Sequence, residues 1–259
     1  MTASEQRASE PRASEKMAST TTVPATGQAA SEPAASHQPA PKAASHQAAS
    51  HQAALEPDAA LTAAADAIRH ETTAVEALLH RLDETFLAVV DEIAAAPGRV
   101  VVTGLGKSGI VGRKIAATLA STGTPAIFVH AVEALHGDSG MVTEGDVMLA
   151  ISNSGETAEA CEFARLVTAR GIPVVALVGR TNSTLARCAK HVLDIGVPRE
   201  ADPLNLVPTA STTATLVLGD ALASALMVRR GFTASDFARF HPGGSLGARL
   251  LSDSEGARS

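Results

Sequence analysis

The sequence has no Trp, no Tyr and only six Phe among 259 residues, so its core must be aliphatic and it lacks the aromatic platform on which nucleobases stack. Positive charge is also short. Lys and Arg number 21 against 27 Asp and Glu, a formal charge of −6, so no overall basic field exists to hold a polyanion by counterion release. No nucleic-acid partner is expected. The two cysteines, Cys161 and Cys188, form no CxxC pair, which excludes a disulfide or zinc framework and fits a reducing, cytoplasmic setting. The opening MTASEQRASEPR has no apolar stretch after its charges, so no secretory leader is expected. The longest apolar run, 210–228, is roughly the length of a membrane span, but Asp220 interrupts it and Thr and Ser are frequent. It is expected as a buried helix of a soluble α/β fold, with no membrane partner.

What is present falls into two parts. Residues 1–57 are imperfect copies of Ala-Ser-Glu and then Ala-Ala-Ser-His-Gln, a composition that cannot bury a core. A disordered tail is expected there. His37, His46 and His51 lie in the repeats, open to reading as a metal-binding tract or as mere repeat expansion, and Met17 is an alternative start. A folded domain is expected over 58–252, with a flexible C-terminus from 253 to 259. Within it, Leu61, Ile68, Val75, Leu78, Leu82, Phe86, Val89 and Ile93 recur at three- and four-residue spacings and predict two N-terminal helices before Pro97-Gly98. Five short β-branched or apolar runs follow, at 99–103, 125–129, 146–151, 174–178 and 191–195, separated by helical stretches. Continuous apolar strands alternating with helices specify a doubly wound α/β fold, a five-stranded parallel sheet covered on both faces. Ligands of such folds sit beyond the carboxyl ends of the strands.

Two motifs fall at those ends. GLGKSG, Gly104 to Gly109, matches GxGxxG literally, but the end of the second strand reads Phe128-Val129-His130 where a dinucleotide site needs an acidic residue. A Walker A loop fails too, because Val101 stands where its first Gly is required. A glycine turn at a helix N-terminus remains, with Gly106, Lys107 and Ser108 positioned for an anion. The second motif is SNSGET, where Ser152, Asn153, Ser154 and Thr157 surround Gly155 before another helix. Ser154 and Thr157 are also ordinary capping residues, but a cap uses one hydroxyl and this loop offers three, which favours a phosphate.

SNSGET after an apolar strand resembles the signature of the SIS (sugar isomerase) domain, a phosphosugar-binding, flavodoxin-like fold. Together with GLGKSG, EALHGDSGM (133–141) and FHPGGSLGARLL (240–251), it makes residues 59–251 similar to the arabinose 5-phosphate isomerase family. In that family a pair of CBS domains usually follows, so a form without them, and without adenine-nucleotide regulation through them, is expected. The resemblance implies interconversion of ribulose 5-phosphate and arabinose 5-phosphate, with Lys107, His136, Glu159, Glu200 and His241 as catalytic residues. It also implies a homo-oligomer, a tetramer with composite sites to which a neighbour lends a histidine.

Moving a carbonyl from C2 to C1 through an enediol needs a base at carbon, an acid/base at the oxygens and a cation for the oxyanion. His241 or one glutamate is the expected base, with Lys107 and His136 at the oxygens. Glu159 has a second reading as a helix-dipole partner, Glu200 as a partner of Arg199, and His136 as a structural histidine. Ser211, Thr212 and Thr213 are expected to add hydroxyls to the site or to cap their helix. No metal or cofactor is expected. The competing readings are another SIS phosphosugar isomerase acting on a hexulose or heptulose phosphate, and a non-catalytic sugar-phosphate sensor. The first is not expected to combine ALHGD with FHPGG, and the second would want a basic helix-turn-helix.

Overall fold

A computed structural model describes residues 57–242. The repeat tail with its three histidines, and the stretch from Gly243 through Leu251 to Ser259, lie outside the described residues. The described part opens with α1 (Pro57–Ala77), a 3₁₀ turn at Leu78–Arg81 and α2 (Glu84–Ala95). Then come β1 (Val100–Gly104), α3 (Gly106–Ser121), β2 (Ala126–Phe128), α4 (Ala131–Leu135) and β3 (Val147–Ser152). The second half holds α5 (Ala158–Ala169), β4 (Val174–Val178), α6 (Thr184–Cys188), β5 (His191–Asp194), α7 (Ala210–Arg230) and α8 (Ala234–Phe240). All five apolar runs are strands, and the 210–228 run is one helix.

Every strand pair is parallel, in the order β2-β1-β3-β4-β5. β1, β3 and β4 are buried at every position because helices cover both faces, which explains their unbroken apolar sequences. Side chains alternate between two cores. Val100, Val102, Leu149, Ile151 and Leu177 pack with Ile115, Leu119, Leu222 and Leu226 of α3 and α7. Val101, Met148, Ala150 and Ala176 pack on the other side with Phe163 and Val167 of α5. The order reverses between β1 and β3, where the connections leave in opposite directions and open a crevice.

α7 has the length and apolar composition of a membrane span. Its Leu218, Leu222 and Leu226 are nevertheless core residues, 0–2 % exposed. At Gly219 it approaches α3 so closely that a Cβ would lie 2.5 Å from Ile115. α7 rises for 21 residues, about 30 Å, from the carboxyl end of the sheet to the opposite end. There Arg230 donates to the Ile93 carbonyl of α2, 3.0 Å away, and Gly231 ends the helix at φ 62°. Phe232 covers Gly123, in the turn before β2, and stacks on Phe240 of α8 with ring centroids 6.1 Å apart. α8 therefore sits at the amino-end side of the strands.

Candidate active site

At the end of β1 the chain turns through Gly106, φ 53°, directly into α3. Its preceding residue, Leu105, offers no side-chain cap, so the first N–H groups of α3 face outward from the turn. Lys107 is exposed, Ser108 half-buried, and among the described residues no ion pair holds the lysine.

The β3–α5 turn is built from its own hydroxyls. Ser152 Oγ accepts from the Gly155 N–H at 3.1 Å and shares a 2.9 Å hydrogen bond with Thr157 Oγ1. Ser154 Oγ accepts from the Glu156 N–H at 3.2 Å. Gly155 has φ 66°, and a Cβ there would run into the Ser183 side chain, so no other residue fits without rebuilding the turn. The capping alternative does not materialise. Thr157 is the residue before α5, yet its side chain caps nothing.

α7 begins the same way, with Thr209 making no side-chain cap. Its N-terminus is met instead by Glu200, whose Oε2 accepts from the N–H groups of Thr209 (2.8 Å) and Ser211 (3.1 Å), while Oε1 accepts from Ser211 Oγ. Burial pushes the Glu200 pKa up, but hydrogen bonds from Ser211 and Thr209 outweigh it and hold the carboxyl below its usual value. Thr212 turns its hydroxyl back to the Thr209 carbonyl at 2.8 Å, so neither Ser211 nor Thr212 caps the helix in the ordinary sense.

These three turns enclose one cavity of about 210 Å³. Lys107, Ser108, Ser152, Asn153, Ser154, Thr157, Ser211 and Thr212 all line it, so eight of the residues singled out in the sequence come together. Leu105, Pro208 and Thr215 line it too and were not singled out. Thr215 was within reach of the pattern, since it lies one helical turn beyond Ser211. α2, α6 and α8 are capped by Asp83, Ser183 and Thr233, whereas α3, α5 and α7, the helices that open onto the cavity, have no cap from the preceding side chain. The short α4 is uncapped as well, but it does not line the cavity. Open N–H groups at α3 and α5, a lysine and short hydroxyls make this an anion site. A larger cavity of 580 Å³ lies between α1 and residues 199–203, lined by Asp58 and Asp66 as well as Arg199. Its two carboxylates disfavour a phosphate, and it lacks the converging hydroxyls.

The remaining candidates stand apart. Glu159 is half-buried in the first turn of α5, and His136 is exposed at the end of α4; neither lines the cavity. Glu200 touches it only through Ser211. His241 follows α8, at the far end of α7 from the cavity. Its Nδ1 donates to the Phe237 carbonyl at 2.9 Å and its ring stacks on Phe237, and among the described residues Nε2 has no hydrogen-bond partner. Among the described residues no three His, Cys, Asp or Glu side chains are grouped as metal ligands would be.

The arabinose 5-phosphate isomerase KdsD of Pseudomonas aeruginosa is 56% identical over 189 residues, 73% of this chain and 58% of its own. GutQ of Salmonella typhi, named as the same enzyme, is 50% identical over 196 residues, 76% of this chain and 61% of its own. This chain thus spans about three-fifths of the length of those relatives. Among solved structures, an E. coli CFT073 protein in complex with arabinose 5-phosphate superposes with a TM-score of 0.69 at 40% identity, covering 72% of this chain and all of that one. The SIS domain model matches residues 92–225, from α2 through most of α7 and including the whole sheet, and the chain belongs to the SIS domain family.

Proposed function

We propose that the protein is an aldose-ketose isomerase that interconverts D-ribulose 5-phosphate and D-arabinose 5-phosphate through an enediol. The observation that carries this reading is the cavity at the β1/β3 crevice, on which uncapped helix starts, Lys107 and the SNSGET hydroxyls converge. The relatives named for this reaction, and the related structure that carries arabinose 5-phosphate, supply the substrate.

The phosphate sits at Ser108, Ser152, Ser154 and Thr157, against the first N–H groups of α3 and α5. Ribulose 5-phosphate has no free O5 and arrives open; arabinose 5-phosphate must open its ring first. A base takes the proton from C1 of the ketose and returns it to C2, while a donor protonates O2 and an acceptor relieves O1. Lys107 serves the oxygens from within the cavity, the ammonium opposing charge that builds on the enediolate, and His136, which lies outside the cavity of its own chain, joins it there only if the assembly brings it to a site. His241 serves carbon. With Nδ1 held by the Phe237 carbonyl, Nε2 is the ring nitrogen left to take the carbon-bound proton. Near-normal turnover in His241→Ala, together with loss of turnover in Glu159→Gln, would transfer that role to the glutamate.

His241 and the cavity lie at opposite ends of α7, so the histidine serves a neighbouring copy's site. A cavity of 210 Å³, below the roughly 300–1,000 Å³ of typical ligand pockets, is in keeping with a site that a neighbour completes. Exposed Leu61, Ile68 and Leu79 of the N-terminal helical region and Val228 of α7 provide apolar surface for assembly, which we take to be a tetramer. A cytoplasmic setting is in keeping with the free thiols of Cys161 and Cys188.

The decisive experiment follows ribulose 5-phosphate by NMR in deuterated buffer, with Lys107→Ala alongside. Arabinose 5-phosphate labelled at C2 in the wild type alone is expected. No turnover and no deuterium incorporation by the wild type rejects the substrate.

A further inference from the structure

We infer that Ser211 recognises a hydroxyl of the sugar chain as a hydrogen-bond acceptor, and that Glu200 is a positioning residue that acts through Ser211 without touching substrate. The inference rests on the sugar-phosphate reading of the cavity and adds which end of the ligand faces α7.

The direction of one hydrogen bond carries it. Ser211 Oγ and Glu200 Oε1 are in contact, and an ionised carboxylate can only accept, so the serine hydrogen points at the glutamate. Its hydrogen-bonded surroundings keep Glu200 ionised at neutral pH. The Ser211 N–H is committed to the same carboxylate at 3.1 Å, and the Ser211 carbonyl accepts from Thr215 Oγ1 at 2.7 Å. Ser211 is 2 % exposed, so its side chain has no freedom to swing away. Ser211 lines the cavity, and with its hydrogen given to Glu200 its Oγ has only lone pairs left to offer a ligand there.

Glu200 is itself held from several sides. Its N–H donates to Asn205 Oδ1 at 2.6 Å, and Oε2 also accepts from Thr209 Oγ1 at 3.3 Å. The start of α7 thus differs from those of α3 and α5. A carboxylate already satisfies its N–H groups, and the negative charge behind Ser211 repels a phosphate dianion. The cavity therefore has two unlike ends, donors and an ammonium beside α3 and α5, and an oriented acceptor beside α7. A sugar phosphate enters phosphate first towards the α3–α5 end, and a chain hydroxyl donates to Ser211 Oγ. A carbonyl or phosphate oxygen has no hydrogen to offer there, so the contact separates hydroxyl from carbonyl along the carbon chain.

The test uses the full chain, with Ser211→Ala, Glu200→Gln and the double variant, each first compared with the wild type by circular dichroism and thermal melting. Arabinose 5-phosphate and inorganic phosphate are then titrated calorimetrically. Ser211→Ala is expected to weaken arabinose 5-phosphate about five- to tenfold, the worth of one hydrogen bond, and inorganic phosphate less than twofold. Glu200→Gln lowers sugar-phosphate affinity by a similar factor in the parent, but less than twofold further once Ser211 is Ala. Glu200→Asp, which keeps an acceptor-only carboxylate, recovers part of that loss only when Ser211 is present. Equal losses for the two ligands in Ser211→Ala would place the serine in the phosphate cradle and overturn the inference. So would an undiminished effect of Glu200→Gln in the Ser211→Ala background, since Glu200 would then act on the ligand by itself. If Glu200→Gln does not fold, Ser211→Ala decides the acceptor role and Glu200→Asp supplies the second arm. A wild type that binds phosphate but gains nothing from the sugar rejects both the inference and the substrate reading beneath it.

Discussion

At Lys107 and Gly155 the site depends on single side chains or their absence. Lys107 is the one cation lining the cavity among the described residues, so Lys107→Ala is expected to lower kcat/KM for ribulose 5-phosphate by about 100-fold or more, with little change in melting temperature because the side chain is exposed. Gly155→Ala should do the reverse in part. The φ of 66° and the Ser183 side chain together set a cost of at least about 2 kcal/mol, read as a lowered melting temperature and a misplaced SNSGET turn. Both positions were legible in the sequence because glycines and short hydroxyls at strand ends leave a local signature. Glu200 was legible only as a candidate. Its partner groups lie nine and eleven residues further on, at Thr209 and Ser211, and nothing local announces that a loop will fold back to seat a carboxylate on a helix.

The strands were readable for a physical reason: burial on both faces forces continuous apolar sequence, as in Val100–Val102 and Val174–Val178. The direction of α7 was not, because its sequence states that it is buried and not which end of the sheet it starts from. That direction separates His241 from the cavity, a separation the FHPGG motif alone could not reveal. Where α3 and α7 touch, two effects compete. Gly219→Ala gains about 1 kcal/mol of helix propensity, but its Cβ would lie 2.5 Å from the fully buried Ile115, and overpacking costs about 1–3 kcal/mol. Net destabilisation is expected in a denaturant titration; a more stable variant would mean that the two helices separate freely.

For the whole molecule, two measurements follow. If Lys107 and His241 of one site come from two copies, mixing the inactive Lys107→Ala and His241→Ala chains under subunit exchange restores intact sites in the mixed assemblies, about a quarter of wild-type activity for random pairing. Continued inactivity would show that each chain works alone. The second is acid stability. Glu92 and Glu200 both have pKa values held below normal; at Glu92 burial pushes the value up, and the hydrogen bonds and charges of Lys190 and His191 outweigh it. A carboxyl depressed in the folded state contributes stability that is complete above its unfolded pKa of about 4.3 and is lost as pH falls through the lower folded value. Melting temperature should therefore hold steady down to about pH 4.5 and drop below it, and Glu200→Gln should flatten the drop.

The helix starts left open at α3 and α5 have a thermodynamic counterpart. A chain that leaves these N–H groups to a ligand has part of its folding free energy supplied by the solution around it. An anion bound at a hundred times its Kd adds about 2.7 kcal/mol to the native state and nothing to the unfolded one. Phosphate in the buffer should raise the melting temperature, and sugar phosphate should raise it further. The folded lifetime of the protein in a cell then follows the abundance of its own substrate.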